Sequence, residues 1–308
     1  MLYPEIEPHD SGMLDVGDGH RVYWEVSGNP DGKPALVVHG GPGAGSTTRA
    51  RRFFDPEAYR IVQFDQRNCG RSTPHASEPV VDLSTNTTDH LLADVERLRE
   101  HLGIDRWLLF AASWGSVLAL VYAVRYPHRV SGMVHAGVAV GLREETDLLT
   151  KGLAPMFPGA WARFRAHAPE GDDLSAAYLA LLLDPDPAVH QPAADEWCRW
   201  EDAVVPPPSG PSRFDSPEYR LAFARIVTHY WAHGCWVPDG LVLDRASRLA
   251  GIPGVIVQGV LDLGNLTGVP WRLTHAWPDA ELVMIPATDH GGNDAMTAAR
   301  VRATDRSR

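Results

Sequence analysis

Ser113 is the residue of this chain best placed to act as a nucleophile. It stands in Ala111-Ala112-Ser113-Trp114-Gly115-Ser116, between an apolar run at 107–110 and a small-residue stretch at 117–123. A buried strand, a sharp turn with a serine at its tip, then a helix make a nucleophile elbow. The turn lifts the hydroxyl above the sheet and aims the helix N-terminus, with its N–H groups, at the reacting centre. Residues flanking the serine must be small because strand and helix backbones nearly touch there. The usual pattern is G-x-S-x-G, and Ala111 departs from it by one methyl group.

A serine hydroxyl is too weak an acid to attack unaided, so a base must take its proton and an acid must orient the base. The segment Ile252-Pro253-Gly254-Val255-Ile256-Val257-Gln258-Gly259-Val260-Leu261-Asp262 reads as a buried strand ending in an aspartate. The segment Ala280-Glu281-Leu282-Val283-Met284-Ile285-Pro286-Ala287-Thr288-Asp289-His290 reads as a second strand, then a short loop ending in a histidine. Both lie just past the carboxyl end of a strand, where open parallel sheets build their sites. Serine, aspartate, histidine is the chain order of α/β hydrolases. His290 is the candidate base and Asp262 the candidate orienting acid. Asp289 competes, but Asp262 ends its own strand and is the better placed. Upstream, His39-Gly40-Gly41-Pro42-Gly43 follows the apolar run Ala35-Leu36-Val37-Val38. Glycines there let backbone N–H groups approach a ligand, and Gly41 N–H and Trp114 N–H are the candidate oxyanion donors. The loop is not a phosphate loop, because no Gly-Lys-Ser/Thr follows.

These segments and others resemble the proline iminopeptidase (prolyl aminopeptidase) family of α/β hydrolases. The further matches are Asp65-Gln66-Arg67-Asn68-Cys69-Gly70-Arg71-Ser72-Thr73-Pro74, Asn86-Thr87-Thr88, a run at 94–104, Trp200-Glu201, His229-Tyr230 and a run at 276–282. They are collinear and span most of the chain. The resemblance implies a serine hydrolase releasing an N-terminal residue, preferably proline, from small peptides through an acyl-enzyme. It also implies that Glu201 holds the substrate's free amine. A second amine-binding glutamate of the family is matched by Val227, an arginine after the strand that follows the nucleophile helix by Ala136, and a Cys-Pro by Asn265-Leu266. Two alternatives use the same fold. One is an esterase or amidase acting on a small acyl or biosynthetic substrate. The other is a non-hydrolytic α/β-hydrolase-fold enzyme of specialised metabolism.

Composition fits a soluble enzyme. The 308 residues carry a formal net charge of −11, which argues against nucleic acid, a partner that requires a basic face. No run approaches the ~18 apolar residues of a membrane helix, and the first ten residues lack the basic start and apolar run of a signal peptide. The three cysteines, Cys69, Cys198 and Cys235, are scattered and odd in number. They read as free thiols in a cytoplasmic protein, not a disulfide framework or a zinc site. Cys69 reads as a small core residue. No metal or other cofactor is implied, and the expected partner is a small peptide or small acyl substrate.

The expected fold class is α/β: an α/β-hydrolase fold with a mostly parallel central sheet, helices on both faces and an inserted helical cap. Residues 1–140 and 241–308 read as the core, beginning with a hairpin turning at Gly17-Asp18-Gly19, and 141–240 as the cap. In the cap, tryptophans gather, proline breaks recur and helical spacing replaces the strand–helix rhythm. The run Pro206-Pro207-Pro208 reads as an inter-helix loop. Trp197, Trp200, Tyr230 and Trp231 are expected to wall an apolar pocket, with Glu201 as its polar handle. Residues 300–308 read as a frayed tail.

Overall fold

The computed structural model describes residues 1–168, 170–205 and 213–308, so the proline run at 206–208 lies outside the described residues. Eight strands form one sheet: β1 (Pro8–Gly17), β2 (His20–Gly28), β3 (Lys33–Val38), β4 (Tyr59–Phe64), β5 (Trp107–Ser113), β6 (Val130–Val138), β7 (Gly254–Gly259) and β8 (Ala280–Ile285). Their order is β1-β2-β4-β3-β5-β6-β7-β8. The pairs β1–β2 and β2–β4 are antiparallel and every later pair is parallel. The β1–β2 hairpin turns at Gly17, Asp18 and Gly19, all with positive φ.

The central strands are apolar on both sides because both sides are covered. Alternate residues divide accordingly. Leu36, Val62, Leu109 and Ala111 join one core cluster, which also takes Leu91, Leu98, Val117 and Leu273. These come from α2 (Thr88–His101), α3 (Trp114–Arg125) and α10 (Val269–Ala276), in chain order after the short α1 (Thr48–Arg51). Ala35, Ile61, Leu108 and Phe110 face the other way, onto Val301 and Ala303 of α11 (Asp294–Arg306).

Between β6 and β7 the chain is helical: α4 (Arg143–Asp147), α5 (Pro158–His167), α6 (Leu174–Leu182), α7 (Pro187–Val204), α8 (Pro217–Ala232) and α9 (Leu241–Asp244). Phe164, Tyr178, Trp197 and Trp200 build a separate aromatic core there. Phe164 stacks on Tyr178 with centroids 4.7 Å apart. Helix α8 belongs to both cores: Phe223 and Val227 face the aromatic one, Ile226 and Tyr230 the sheet's.

The tail is not frayed. Helix α11 continues to Arg306, and Thr304 is fully buried. Its carbonyl accepts from Tyr59 Oη at 2.6 Å, and its hydroxyl donates to Phe53 O at 2.6 Å. The buried stripe of this helix, Met296, Ala299, Val301, Ala303 and Thr304, is made mostly of small side chains that pack against the sheet.

Candidate active site

Strand β3 pairs with β4 on one side and β5 on the other, so the strand order switches direction there. A crevice opens at the carboxyl ends of such strands. The His39–Gly43 loop leaves β3 into that crevice and Ser113 ends β5. Ser113 sits at φ 54° and ψ −129°, a strained conformation for a residue with a side chain. Close approach of the α3 start to β3 imposes the turn. A Cβ on Gly115 would lie 2.2 Å from Val38 O, so that position must be glycine. Ala111 and Ala112 are strand residues paired with β6.

Asp262 follows β7 and caps a 3-10 turn. Its Oδ2 accepts from His290 Nδ1 at 2.8 Å and from Gln258 Nε2 at 2.9 Å, and its Oδ1 accepts from Gly264 N at 2.9 Å. Gln258 is itself oriented, since its Oε1 accepts from Val138 N at 3.0 Å. Donation from Nδ1 leaves the Nε2 lone pair of His290 to act as a base. The two loops touch because Gly259 lacks a side chain: a Cβ there would meet Thr288 O at 2.3 Å. Gly137 does the same from β6, where a Cβ would lie 2.8 Å from His290 Cε1. Asp289 is exposed, and its Oδ1 accepts from Gly291 N within its own loop. Asp262 is the acid that meets the imidazole.

Gln66 joins the two segments that carry the candidate oxyanion donors. Its Nε2 donates to His39 O at 3.0 Å and its Oε1 accepts from Trp114 Nε1 at 3.0 Å. Its backbone N donates to His39 Nε2 at 3.0 Å. The loop carrying Gly41 and the residue after Ser113 are thus held by one side chain. The neighbouring Arg67 grips Asp94 with both ends, at 2.7 and 2.9 Å. Sequence reasoning met Gln66 and Gln258 only as letters of a family pattern. Nothing in their local context announces partners 27, 48 or 120 residues away.

Ser113, Asp262, His290, Gly41, Trp200 and Glu201 line one cavity of about 260 Å³. Trp231 lines it too, whereas Trp197 and Tyr230 are fully buried elsewhere. The expectation that Tyr230 touches substrate is corrected. Its hydroxyl donates to Asn86 Oδ1 at 2.8 Å, and its ring meets Trp114 edge-on at 4.6 Å, so it fastens α8 to the elbow helix. Trp200 is held by its own indole, which donates to Leu149 O at 2.9 Å, and by stacking on Phe164. Ala136 lies inside β6, paired with Val257. The first arginine past β6 is Arg143, at the start of α4. Val227 is fully buried in the aromatic core. Cys69 is buried, its Sγ donating to Gln66 O at 3.2 Å, and burial first, then Asp65, push its thiol pKa well up. It is a packing residue.

Arg213 is a lining residue that the sequence did not single out. Its guanidinium lies 3.5 Å from Glu201 Oε2 and over the Phe214 and Phe223 rings. Burial raises the Glu201 pKa, against the charge of Arg213. Burial also opposes ionisation of His290, but the hydrogen bond and charge of Asp262 outweigh it, and the imidazole pKa is raised above 6.5. Arg213 pulls that pKa down and Glu201 pushes it up. The base works only when neutral, so turnover should fall as pH drops through a value above 6.5. Glu201→Gln should move that acid limb to lower pH and Arg213→Gln to higher pH. The check is a pH profile of kcat/KM on an N-blocked ester, whose own ionisation does not intrude. Shifts of the same sign would remove both groups from the field of His290.

The comparisons agree with this architecture. A family model described as alpha/beta hydrolase fold matches residues 33–294. A "Probable proline iminopeptidase" of Streptomyces coelicolor is 53% identical over 313 aligned positions, covering 99% of this chain and 97% of the relative. A "Proline iminopeptidase" of Xylella fastidiosa is 44% identical, covering 99% of this chain and 98% of its own. Among solved structures, a proline iminopeptidase of Mycobacterium smegmatis superposes with a TM-score of 0.63 at 20% identity, covering 97% of this chain and 98% of its own. That last likeness concerns the fold. The two sequence likenesses run essentially end to end, through the elbow, the His39 loop and the strand ends. The chain therefore belongs to the proline iminopeptidase family of α/β hydrolases.

Proposed function

We propose that the protein is a serine hydrolase that releases an N-terminal residue, preferably proline, from small peptides. The observation carrying this reading is Glu201 in the same cavity as Ser113 and the Asp262–His290 pair, in a chain with full-length proline iminopeptidase relatives. Residues 141–240 act as a cap over the core formed by 1–140 and 241–308, and supply Trp200, Glu201 and Arg213 to the cavity.

Ser113 Oγ attacks the carbonyl carbon and gives its proton to His290 Nε2. Asp262 stabilises the imidazolium that results. The oxyanion sits between Gly41 N–H and Trp114 N–H, each donor contributing roughly 3 kcal/mol. His290 then protonates the leaving amine as the C–N bond breaks. Water repeats the sequence on the acyl-enzyme, freeing the residue and restoring Ser113. Glu201 pairs with the substrate's ammonium, for which Arg213 must yield.

One observation favours an esterase or amidase instead. Arg213 already partners Glu201, and the family's second glutamate is here the buried Val227. Prolyl, alanyl and N-acetyl-prolyl anilides, assayed beside a short acyl ester, separate the readings. Prolyl-anilide cleavage lost on N-acetylation is expected, with Glu201→Gln raising KM about tenfold or more for free-amine substrates only. Equal KM effects on blocked and free substrates would remove the amine role of Glu201. Ester cleavage alone would retire the peptidase.

A further inference from the structure

A second cavity, of about 280 Å³, lies behind the His39–Gly43 loop. It shares Gly40, Ala44 and Ala112 with the catalytic cavity, so the two abut at that loop and the end of β5. Arg49 and Arg300 both line it. The guanidinium carbon of Arg300 lies 4.2 Å from the Phe53 ring centroid and 4.5 Å from that of Phe110. Its Nε is out of reach of water and has no hydrogen-bond partner among the described residues. Arg49 reaches the same wall, donating to Thr297 Oγ1 at 3.3 Å.

Neither arginine meets a carboxylate within 4.0 Å among the described residues. The arginines that are themselves buried all have partners. Arg51 has Glu25, Arg67 has Asp94, Arg99 has Glu96, and Arg225 has three backbone carbonyls. Arg300 differs from them in having a buried Nε with no hydrogen-bond partner among the described residues. Burial, and then the charge of Arg49, lower the Arg300 pKa to about 9. The aromatic rings hold the guanidinium plane but cannot accept from its in-plane N–H donors. A planar fork with unmet donors matches the two oxygens of a carboxylate or phosphate.

We propose that this second cavity is an anion-binding subsite in which Arg49 and Arg300 hold a small oxyanion, a carboxylate or a phosphate, beside the oxyanion loop. The anion has two sources. It is either the C-terminal carboxylate of a short peptide whose scissile bond lies at Ser113, or free phosphate. The first source rests on the peptidase reading and the second does not.

The test uses the full chain and two variants, Arg300→Gln and Arg49→Gln. Arg49 is exposed, so its variant remains informative should Arg300→Gln not fold. Inorganic phosphate binding is measured by calorimetry and by thermal shift, against chloride at matched ionic strength. In parallel, kcat/KM is compared for a prolyl dipeptide and its C-terminal amide. Saturable phosphate binding weakened tenfold or more in either variant supports the subsite. So does a preference for the free acid over the amide that falls fivefold or more. A changed preference identifies the substrate carboxylate as the ligand. Weakened phosphate binding with an unchanged preference identifies a free anion. If no dipeptide is cleaved, the peptidase reading fails alone and phosphate binding decides. The subsite is overturned if neither phosphate affinity nor the acid-to-amide preference responds to either variant.

Discussion

Ser113→Ala is expected to lower kcat by about 10⁶ while leaving the fold intact. The serine side chain makes no hydrogen bond within the described residues, so its loss strands no buried partner. The backbone at φ 54° is held by the contact of Gly115 with Val38, and alanine adopts it at the same strain as serine. The folding stability, read by thermal unfolding, should therefore stay within about 0.5 kcal/mol of the parent's. The loss in kcat follows from removing the only atom that forms the acyl bond. The measurement is kcat on the substrate cleaved best, with labelling by a serine-directed phosphonate as a second readout. Retained activity above a few per cent, or labelling that persists in the variant, would overturn the assignment of the nucleophile.

The second large effect belongs to Asp262→Asn, at about 10⁴ in kcat near neutral pH. Three donors converge on this carboxylate: His290 Nδ1, Gln258 Nε2 and Gly264 N. An asparagine has one oxygen and one NH₂, so neither of its orientations satisfies all three. With its oxygen on Gly264, the NH₂ faces His290 and forces the wrong tautomer. With its oxygen on His290, the NH₂ faces the Gly264 N–H, and the charge that stabilises the imidazolium is still gone. The sign of the pH effect follows. Asp262 raises the His290 pKa, so its neutralisation moves the acid limb of the rate profile to lower pH even as the plateau falls. Asp289→Asn is the control, expected to change kcat by a factor of a few at most. The reverse ranking would transfer the orienting role to Asp289.

Much of this was legible in the chain because it is local. The elbow announces itself through a strand, small residues around Ser113 and a following helix, all within twenty positions. Asp262 and His290 are legible by order, since each follows an apolar run that reads as a strand. The hairpin, the parallel strands and the helical stretch after β6 follow from period and turn chemistry in the same way. The tail illustrates the opposite case. Helix α11 carries small side chains and arginines, and only the sheet and the Phe53 carbonyl that it meets reveal it as packed.

By itself, then, the sequence determined the fold class, the order of Ser113, Asp262 and His290, and the strand ends on which they stand. Those follow from neighbours along the chain. Tertiary structure decided what depends on neighbours in space. Asp262, and not Asp289, meets His290 because Gly259 and Gly137 leave room for the loop to descend. Trp200, on α7, faces the cavity, while Tyr230, on the side of α8 that meets the sheet's core, fastens a helix. Arg213 reaches Glu201, and Arg49 and Arg300 line one cavity, although neither pair has any signature in the chain. The side chains that tune a site come from elements far apart in sequence, and their meeting is set by packing.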